Sequence, residues 1–298
     1  MSAAALSRIT FVGIGVIGLP MAEQLVKAGF DVTGVDPSPE QRKKAELLGI
    51  RSMKSCDSAA AADVVICMVA TPDQMQCALL GEHGALQYMR PGSVLLLMST
   101  VGPDAVRTVA QRAPSGVQVL DVPVTGGVSG AIRGQLTLFA AGNPGAVKDV
   151  EAVLQALGTV VDCGADVGQG QSYKLVNQLL CSVHIVAAAE ALAFAQQLGL
   201  DMNRVLPAVA GGAGGSWMLS DRGPRMLVGL EAEVNSTIGI FVKDSTLVSE
   251  AAETLGFAAP VLAAARARFT AARDAGWDGK DDSQVIQTYL QQASGWGP

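Results

Sequence analysis

Histidine is nearly absent from this 298-residue chain, and cysteine occurs without pattern. His83 sits in a glycine-flanked loop and His184 in an apolar stretch, with no His-x-x-x-His pairing. None of Cys56, Cys67, Cys77, Cys163 and Cys181 belongs to a C-x-x-C. Such a set leaves no metal site to expect and makes both histidines ordinary structural or surface residues. An odd number of scattered cysteines fits reduced thiols in a cytoplasm better than a disulfide framework. Charge is sparse as well: 16% of residues carry it, the net value is −6, and no run of Lys or Arg occurs, which argues against a nucleic-acid surface. Residues 1–8 are too polar and short for a secretory apolar segment, so no targeting signal is expected. Repeats of fixed period and low-complexity linkers are also missing. What remains is a chain that is 49% hydrophobic with 34 glycines, enough for one large domain or two ordinary ones.

The start of the chain is the most informative part of what is present. An apolar run from Ile9 enters Gly13-Ile14-Gly15-Val16-Ile17-Gly18, a helix-like segment follows, and a second run from Asp31 to Val35 ends in Asp36. This is the βαβ pattern of dinucleotide binding. Gly13 permits the tight turn, Gly15 lets backbone approach a pyrophosphate, and Gly18 lets helix pack closely on strand. The helix N-terminus offers N–H groups and a positive dipole end to the phosphates.

Apolar runs alternate with amphipathic stretches through the first half. Strands are expected at Ile9–Gly13, Asp31–Val35, Val64–Val69, Val94–Met98, Val117–Val122 and Leu136–Ala141, with a short one near Val160. Helices are expected at Pro20–Ala28, Pro39–Leu48 and Pro103–Gln111, among others. The alternation implies a Rossmann-type doubly wound parallel sheet, an α/β domain over residues 1–163. After Cys163 the strand patterns stop and an all-helical domain is expected over 164–298. Nothing breaks a helix from about 169 to 198, a length of roughly 45 Å at 1.5 Å per residue, long enough to link two domains. Asn177, Gln178, His184 and Glu190 make it too polar for a membrane span. Further helices are expected around Asn203–Ala210, Thr237–Leu255, Val261–Ala275 and Ser283–Gln292. The abundance of small and apolar residues in this half suggests packing against another chain, hence a homo-oligomer.

Three more clusters carry candidate chemistry. Asp121-Val122-Pro123-Val124-Thr125-Gly126-Gly127 follows a strand, where ligands of open α/β sheets sit, and a hydroxyl before two glycines exposes N–H groups suited to a carboxylate. The same pattern also fits a glycine-rich turn needing positive φ. In Gly168-Gln169-Gly170-Gln171-Ser172-Tyr173-Lys174, followed by Asn177 and Gln178, helical spacing puts Lys174, Asn177 and Gln178 together near a helix start. Helix dipole and desolvation there disfavour an ammonium, which is how a lysine becomes a proton-transfer group near neutral pH; a solvated lysine at a helix edge fits the spacing too. Phe241-Val242-Lys243-Asp244 lies within a helix, and a Lys-Asp pair is common on solvated faces.

Taken together, these clusters resemble the β-hydroxyacid dehydrogenase family over nearly the whole chain, as far as Gly279-Lys280-Asp281-Asp282-Ser283. The resemblance implies NAD as cofactor, a small hydroxy acid as substrate, Lys174 as the catalytic general acid/base, and Thr125, Gly126 and Gly127 at the substrate carboxylate. Asn177 and Gln178 complete the expected substrate set. Gly13, Gly15, Val16, Ile17, Gly18, Asp36, Met68, Val69, Thr100 and Lys243 form the expected cofactor set. The family commonly has Asn where Gln178 stands and Ser where Thr125 stands. A narrower resemblance, to the L-threonate dehydrogenase branch, rests on Gln178-Leu179-Leu180, Val183-His184-Ile185, Gly215-Ser216-Trp217-Met218 and Ile240-Phe241-Val242-Lys243-Asp244. That branch typically has His at the position of Asn177 and Asn at that of Gly215. Oxidation of a four-carbon sugar acid is therefore expected, in a cytoplasmic dimer or tetramer with no nucleic-acid or membrane partner. The alternatives are a tartronate semialdehyde reductase, a 3-hydroxyisobutyrate dehydrogenase, or a nucleotide-binding protein without catalysis.

Overall fold

The computed structural model describes residues 6–291, so the first five residues of the segment 1–8, and Gln292 at the end of an expected helix, lie outside it. Six parallel strands form the main sheet: β1 (Arg8–Val12), β2 (Asp31–Val35), β3 (Arg51–Met53), β4 (Val64–Cys67), β5 (Val94–Leu97) and β6 (Gln118–Asp121). Their order is β3-β2-β1-β4-β5-β6, the doubly wound arrangement. Side chains alternate across a strand, and both faces here are covered. Ile9, Phe11, Val64, Ile66, Val94 and Leu96 enter one core; Val12, Val65, Cys67, Leu95 and Leu97 enter the other. That two-sided burial is why the strands read as continuous apolar runs.

Helices α1 (Gly18–Lys27), α2 (Pro39–Leu47), α3 (Pro72–Leu80) and α4 (Pro103–Arg112) make the crossovers. Proline opens three of them, where its missing N–H costs nothing. Ser38 and Thr71 cap α2 and α3 through the N–H groups of Gln41 and Gln74. The strands and helices expected up to β6 stand within a few residues of their expected bounds; β3, a short edge strand with no fully buried residue, is not among those expected.

Beyond β6 the single-sheet expectation needs correction. β7 (Val124–Thr125), β8 (Leu136–Ala140) and β9 (Gly158–Asp162) form a separate sheet of order β7-β8-β9, with β7 antiparallel and β9 parallel to β8. Only Val122 and Pro123 separate β6 from β7, too few for the crossover a parallel neighbour requires. Helices α5 (Gly127–Arg133), α6 (Pro144–Asp149) and α7 (Glu151–Leu157) fill this stretch. The long helix α8 spans Gln169–Gln197. By length and composition it could cross a membrane, and 56% of its most apolar window is buried inside the protein. The chain groups into two compact units that divide within α8, between Lys174 and Leu175. The loss of strand patterning instead marks 163/164, just after β9.

The second unit adds α9 (Met202–Ala210), α10 (Trp217–Val228), α11 (Ile238–Thr254), α12 (Pro260–Ala272) and α13 (Gln287–Leu290) around Ile185, Leu192, Phe241, Phe269 and Ile286. Phe241 and Phe269 stack with ring centres 5.1 Å apart. The helix expected to reach Ala275 ends at Ala272, because the chain widens and turns at Gly276, whose φ is 87°. The one expected over 283–292 is instead a tight turn, Asp282–Ile286, followed by α13. Gly223 and Pro224 hide α10 from a pattern reading; a Cβ at Gly223 would press on the tip of the Leu206 side chain of α9, so the two helices pack closely there.

A buried ion network holds the Asp282 turn to α10. Arg222 donates to both carboxylate oxygens of Asp282, at 3.1 and 2.9 Å, and to Asp221 at 2.7 Å. Arg225 donates to Asp281 at 3.0 Å. Burial pushes the Asp282 carboxyl up to about 6, with Arg222 acting in the opposite sense. Removing one member strands the other in the interior. Asp282→Ala should lower the unfolding free energy by about 3–5 kcal/mol, seen as a fall in urea midpoint at constant slope. A change below about 1 kcal/mol would assign the network the weight of a surface pair.

Candidate active site

Register across the sheet builds one edge of the first unit. Val35, Val12, Cys67, Leu97 and Asp121 lie side by side on neighbouring strands. The residues that follow them leave the sheet together, tied by Gly13 N–H to the Val35 carbonyl (2.8 Å), Met68 N–H to Val12 (2.8 Å), Met98 N–H to Cys67 (2.9 Å) and Val122 N–H to Leu97 (2.8 Å). This carboxyl-terminal edge carries Gly13, Asp36, Met68, Val69 and Thr100, and the Thr125 loop begins from it.

The three glycines of the first turn play different parts. Gly13 has φ of 94°, and a Cβ on Gly18 would run into the Gly13 carbonyl oxygen, so α1 begins hard against the strand end. A Cβ on Gly15, by contrast, would meet no atom within 4 Å. Unlike α2 and α3, α1 has no side-chain cap and no acid in its first turn. Open space above Gly15 and uncapped N–H groups fit a pyrophosphate. Asp36 directly follows β2, its Oδ1 accepting the Ser38 N–H at 2.8 Å. Arg42 donates to the Asp36 and Pro37 carbonyls at 2.8 and 3.0 Å. The residues present therefore fit a dinucleotide, with a carboxylate where an adenosine ribose would lie.

Hydrogen bonds also tie the neighbouring loops to one another. The Ser99 hydroxyl accepts the Val69 N–H at 2.7 Å, joining the turns after β4 and β5. Gly126 and Gly127 both have positive φ, 125° and 64°, so the loop after β7 is also the glycine-requiring turn its sequence allowed. Lys174 is buried, 7% exposed. Three residues ahead of it, Gln171 is buried too and bonded to Asp121, a partnership the sequence reading passed over although Gln171 shares the Lys174 face of the helix.

Asn177, Gln178 and Lys243 belong to the second unit. Gln178 is buried, with its Nε2 donating to Asp244 and its Oε1 accepting from Asn177 Nδ2 at 2.8 Å. Lys243 Nζ lies 2.8 Å from Asp244 Oδ1. Asp244 thus holds both Gln178 and Lys243, and it is not on a solvated face. The signal was in the spacing: Ile238, Phe241, Asp244, Ser245 and Val248 form the buried stripe of α11. His184 lines an apolar cavity of about 590 Å³ with Phe194, Leu198 and Val209. All five cysteines are free, and burial pushes the Cys67 thiol up to about 12.

Fold and strand-end geometry define a dinucleotide-binding protein. Residues 8–165 match the NAD binding domain of 6-phosphogluconate dehydrogenase, and residues 168–289 match the domain described as NAD-binding of NADP-dependent 3-hydroxyisobutyrate dehydrogenase. The chain belongs to the 3-hydroxyisobutyrate dehydrogenase-like family of NAD(P)-dependent hydroxy-acid oxidoreductases. It is 36% identical to an L-threonate dehydrogenase of Cupriavidus necator, over 94% of this chain and 95% of that one. An Escherichia coli L-threonate dehydrogenase is 34% identical, with 94% of each chain covered. The solved 3-hydroxyisobutyrate dehydrogenase of Salmonella typhimurium superposes with a TM-score of 0.89 at 31% identity, covering 95% of this chain and 99% of that one.

Proposed function

We propose that this chain oxidises a four-carbon sugar acid of the L-threonate class, with NAD as hydride acceptor. Full-length similarity to several L-threonate dehydrogenases carries the reading. The bound nicotinamide supplies the redox chemistry, and the chain's residues supply position and charge. Thr125, Gly126 and Gly127 receive the carboxylate. Lys174 takes the proton of the reacting hydroxyl and returns it in the reverse direction. Gln178, with one amide hydrogen and one lone pair left after its bonds to Asp244 and Asn177, orients a substrate hydroxyl. Lys243 is assigned to the cofactor. Five free cysteines favour a reducing cytoplasm. Val176, Leu180, Phe194 and Leu198 make an exposed apolar stripe on α8, which supports a homo-oligomer; Phe194→Asp should then yield a smaller species in sedimentation.

NADH absorbance over a panel of L-threonate, erythronate, glycerate, tartronate semialdehyde and 3-hydroxyisobutyrate tests the substrate. L-threonate should exceed 3-hydroxyisobutyrate by about tenfold in kcat/KM, and equal use of the two would remove the sugar-acid reading. Lys174→Ala should cut kcat by roughly 10²–10⁴ with NAD affinity nearly unchanged. No turnover of any acid by the unaltered protein would favour a nucleotide-binding role without catalysis.

The preference for NAD rests on Asp36, which would accept ribose hydroxyls and repel a 2′-phosphate. Asp36→Ser removes that charge and leaves Arg42 beside the site. The NADP-to-NAD ratio of kcat/KM should rise by at least about tenfold, the effect of one charge contact of about 1.4 kcal/mol. A parent protein that already prefers NADP would overturn the assignment.

A further inference from the structure

The Gln171 amide is 1% exposed and makes four hydrogen bonds, all near 3.0 Å. Its Oε1 accepts the N–H groups of Val101 and Gly102, and its Nε2 donates to the Ser99 carbonyl and to Asp121 Oδ1. Asp121 is fully buried, and its Oδ2 accepts the N–H groups of Gly168 and Gln171 at 2.9 Å each. Burial raises the Asp121 carboxyl above its usual range, and the surrounding N–H donors act against that. A Cβ on Gly170 would strike the Asp121 and Phe139 carbonyls, so the first turn of α8 sits directly on this carboxylate. One amide and one carboxylate thereby join three segments: the turn after β5 with Thr100, the end of β6 that leads to Thr125, and the start of α8.

We propose that Gln171, locked to Asp121, is a positioning residue that sets Lys174 against the turn carrying Thr100. The inference rests on the assignment of Lys174 to proton transfer. Lys174 follows Gln171 by three residues on the same helix face, about 4.5 Å along the axis. Backbone carbonyl and N–H groups on the β5 turn read both ends of the Gln171 amide, so the helix can neither slide nor rotate without breaking several bonds at once. No other side chain has the same length with a donor and an acceptor at its tip, so the requirement is for glutamine rather than for bulk. A displacement of about 1 Å at the reacting group is enough to cost 10²-fold in rate.

Gln171→Glu keeps an acceptor for Val101 and Gly102 but puts an oxygen against the Ser99 carbonyl and Asp121. Its kcat should fall about 10²-fold, with KM for the acid and affinity for NAD each within about threefold, and the pH limb assigned to Lys174 should move. Pairing it with Asp121→Asn reverses the amide–carboxylate bond: the asparagine oxygen takes the Gly168 and Gln171-position N–H groups, and its nitrogen donates to the glutamate. That double variant should regain at least about tenfold in kcat. A kcat loss that only tracks the folded fraction by circular dichroism, an unmoved pH limb, or a double variant no better than Gln171→Glu overturns the proposal. Should Gln171→Glu not fold, Asp121→Asn alone is held to the same kcat, KM and pH criteria. Absence of turnover by the parent protein removes the proton-transfer reading itself; parental turnover that survives Gln171→Glu unchanged removes only the role of Gln171.

Discussion

A carboxylate buried at the end of β6 meets N–H donors and nothing else from the start of α8. Asp121 therefore acts as a cap supplied from a distant strand, and it determines where the long helix begins and which way its first turn faces. Helix ends are ordinarily closed by a residue of their own segment, as Ser38 and Thr71 close α2 and α3. Closing α8 from the sheet makes its first turn part of the Rossmann edge, which is why the compact first unit extends through Lys174. The charge of Asp121 suits this place, since an anion near a helix N-terminus is stabilised by the dipole.

The parts of this fold most legible in the sequence are those governed by local period. Strands β1, β2, β4, β5 and β6 announce themselves by their apolar runs, whereas β3, three residues with none fully buried, offers no such run and escaped the pattern; Asp36 is found by its place after a strand rather than by any contact. What escaped depends on partners far away in the chain. The small sheet of β7, β8 and β9 is decided by the two-residue link through Val122 and Pro123, which looks like any other turn until its length is set against the demands of a crossover. Asp244 reads as half of a surface pair beside Lys243, and only its position in the α11 stripe reveals a buried acid. Gln171 carries no sequence cue beyond its spacing to Lys174, because three of its four partners come from the turn after β5 and the fourth from the end of β6.

The two units solve the problem of buried polarity differently. In the first, polar groups in the interior are hydrogen-bonded to backbone: Ser99 to the Val69 N–H, Gln171 to a turn, Asp121 to a helix start. In the second, side chains meet side chains: Arg222 and Arg225 against Asp221, Asp281 and Asp282, and Gln178 against Asp244. Backbone partners cannot be lost by substitution, whereas a side-chain ion network fails when any one member changes. Substitution of one member of the second unit's ion network therefore strands an opposite charge in the interior.

The bare N-terminus of α1 has a consequence for the apoprotein. A helix that begins with no cap and no acid leaves N–H groups for a pyrophosphate to satisfy, so the nucleotide completes a piece of secondary structure as well as taking part in a reaction. Anything that binds only the folded state adds RT ln(1 + [L]/Kd) to its stability, about 2.7 kcal/mol at a hundredfold excess over Kd. By that relation a bound dinucleotide stabilises the fold as well as serving the reaction.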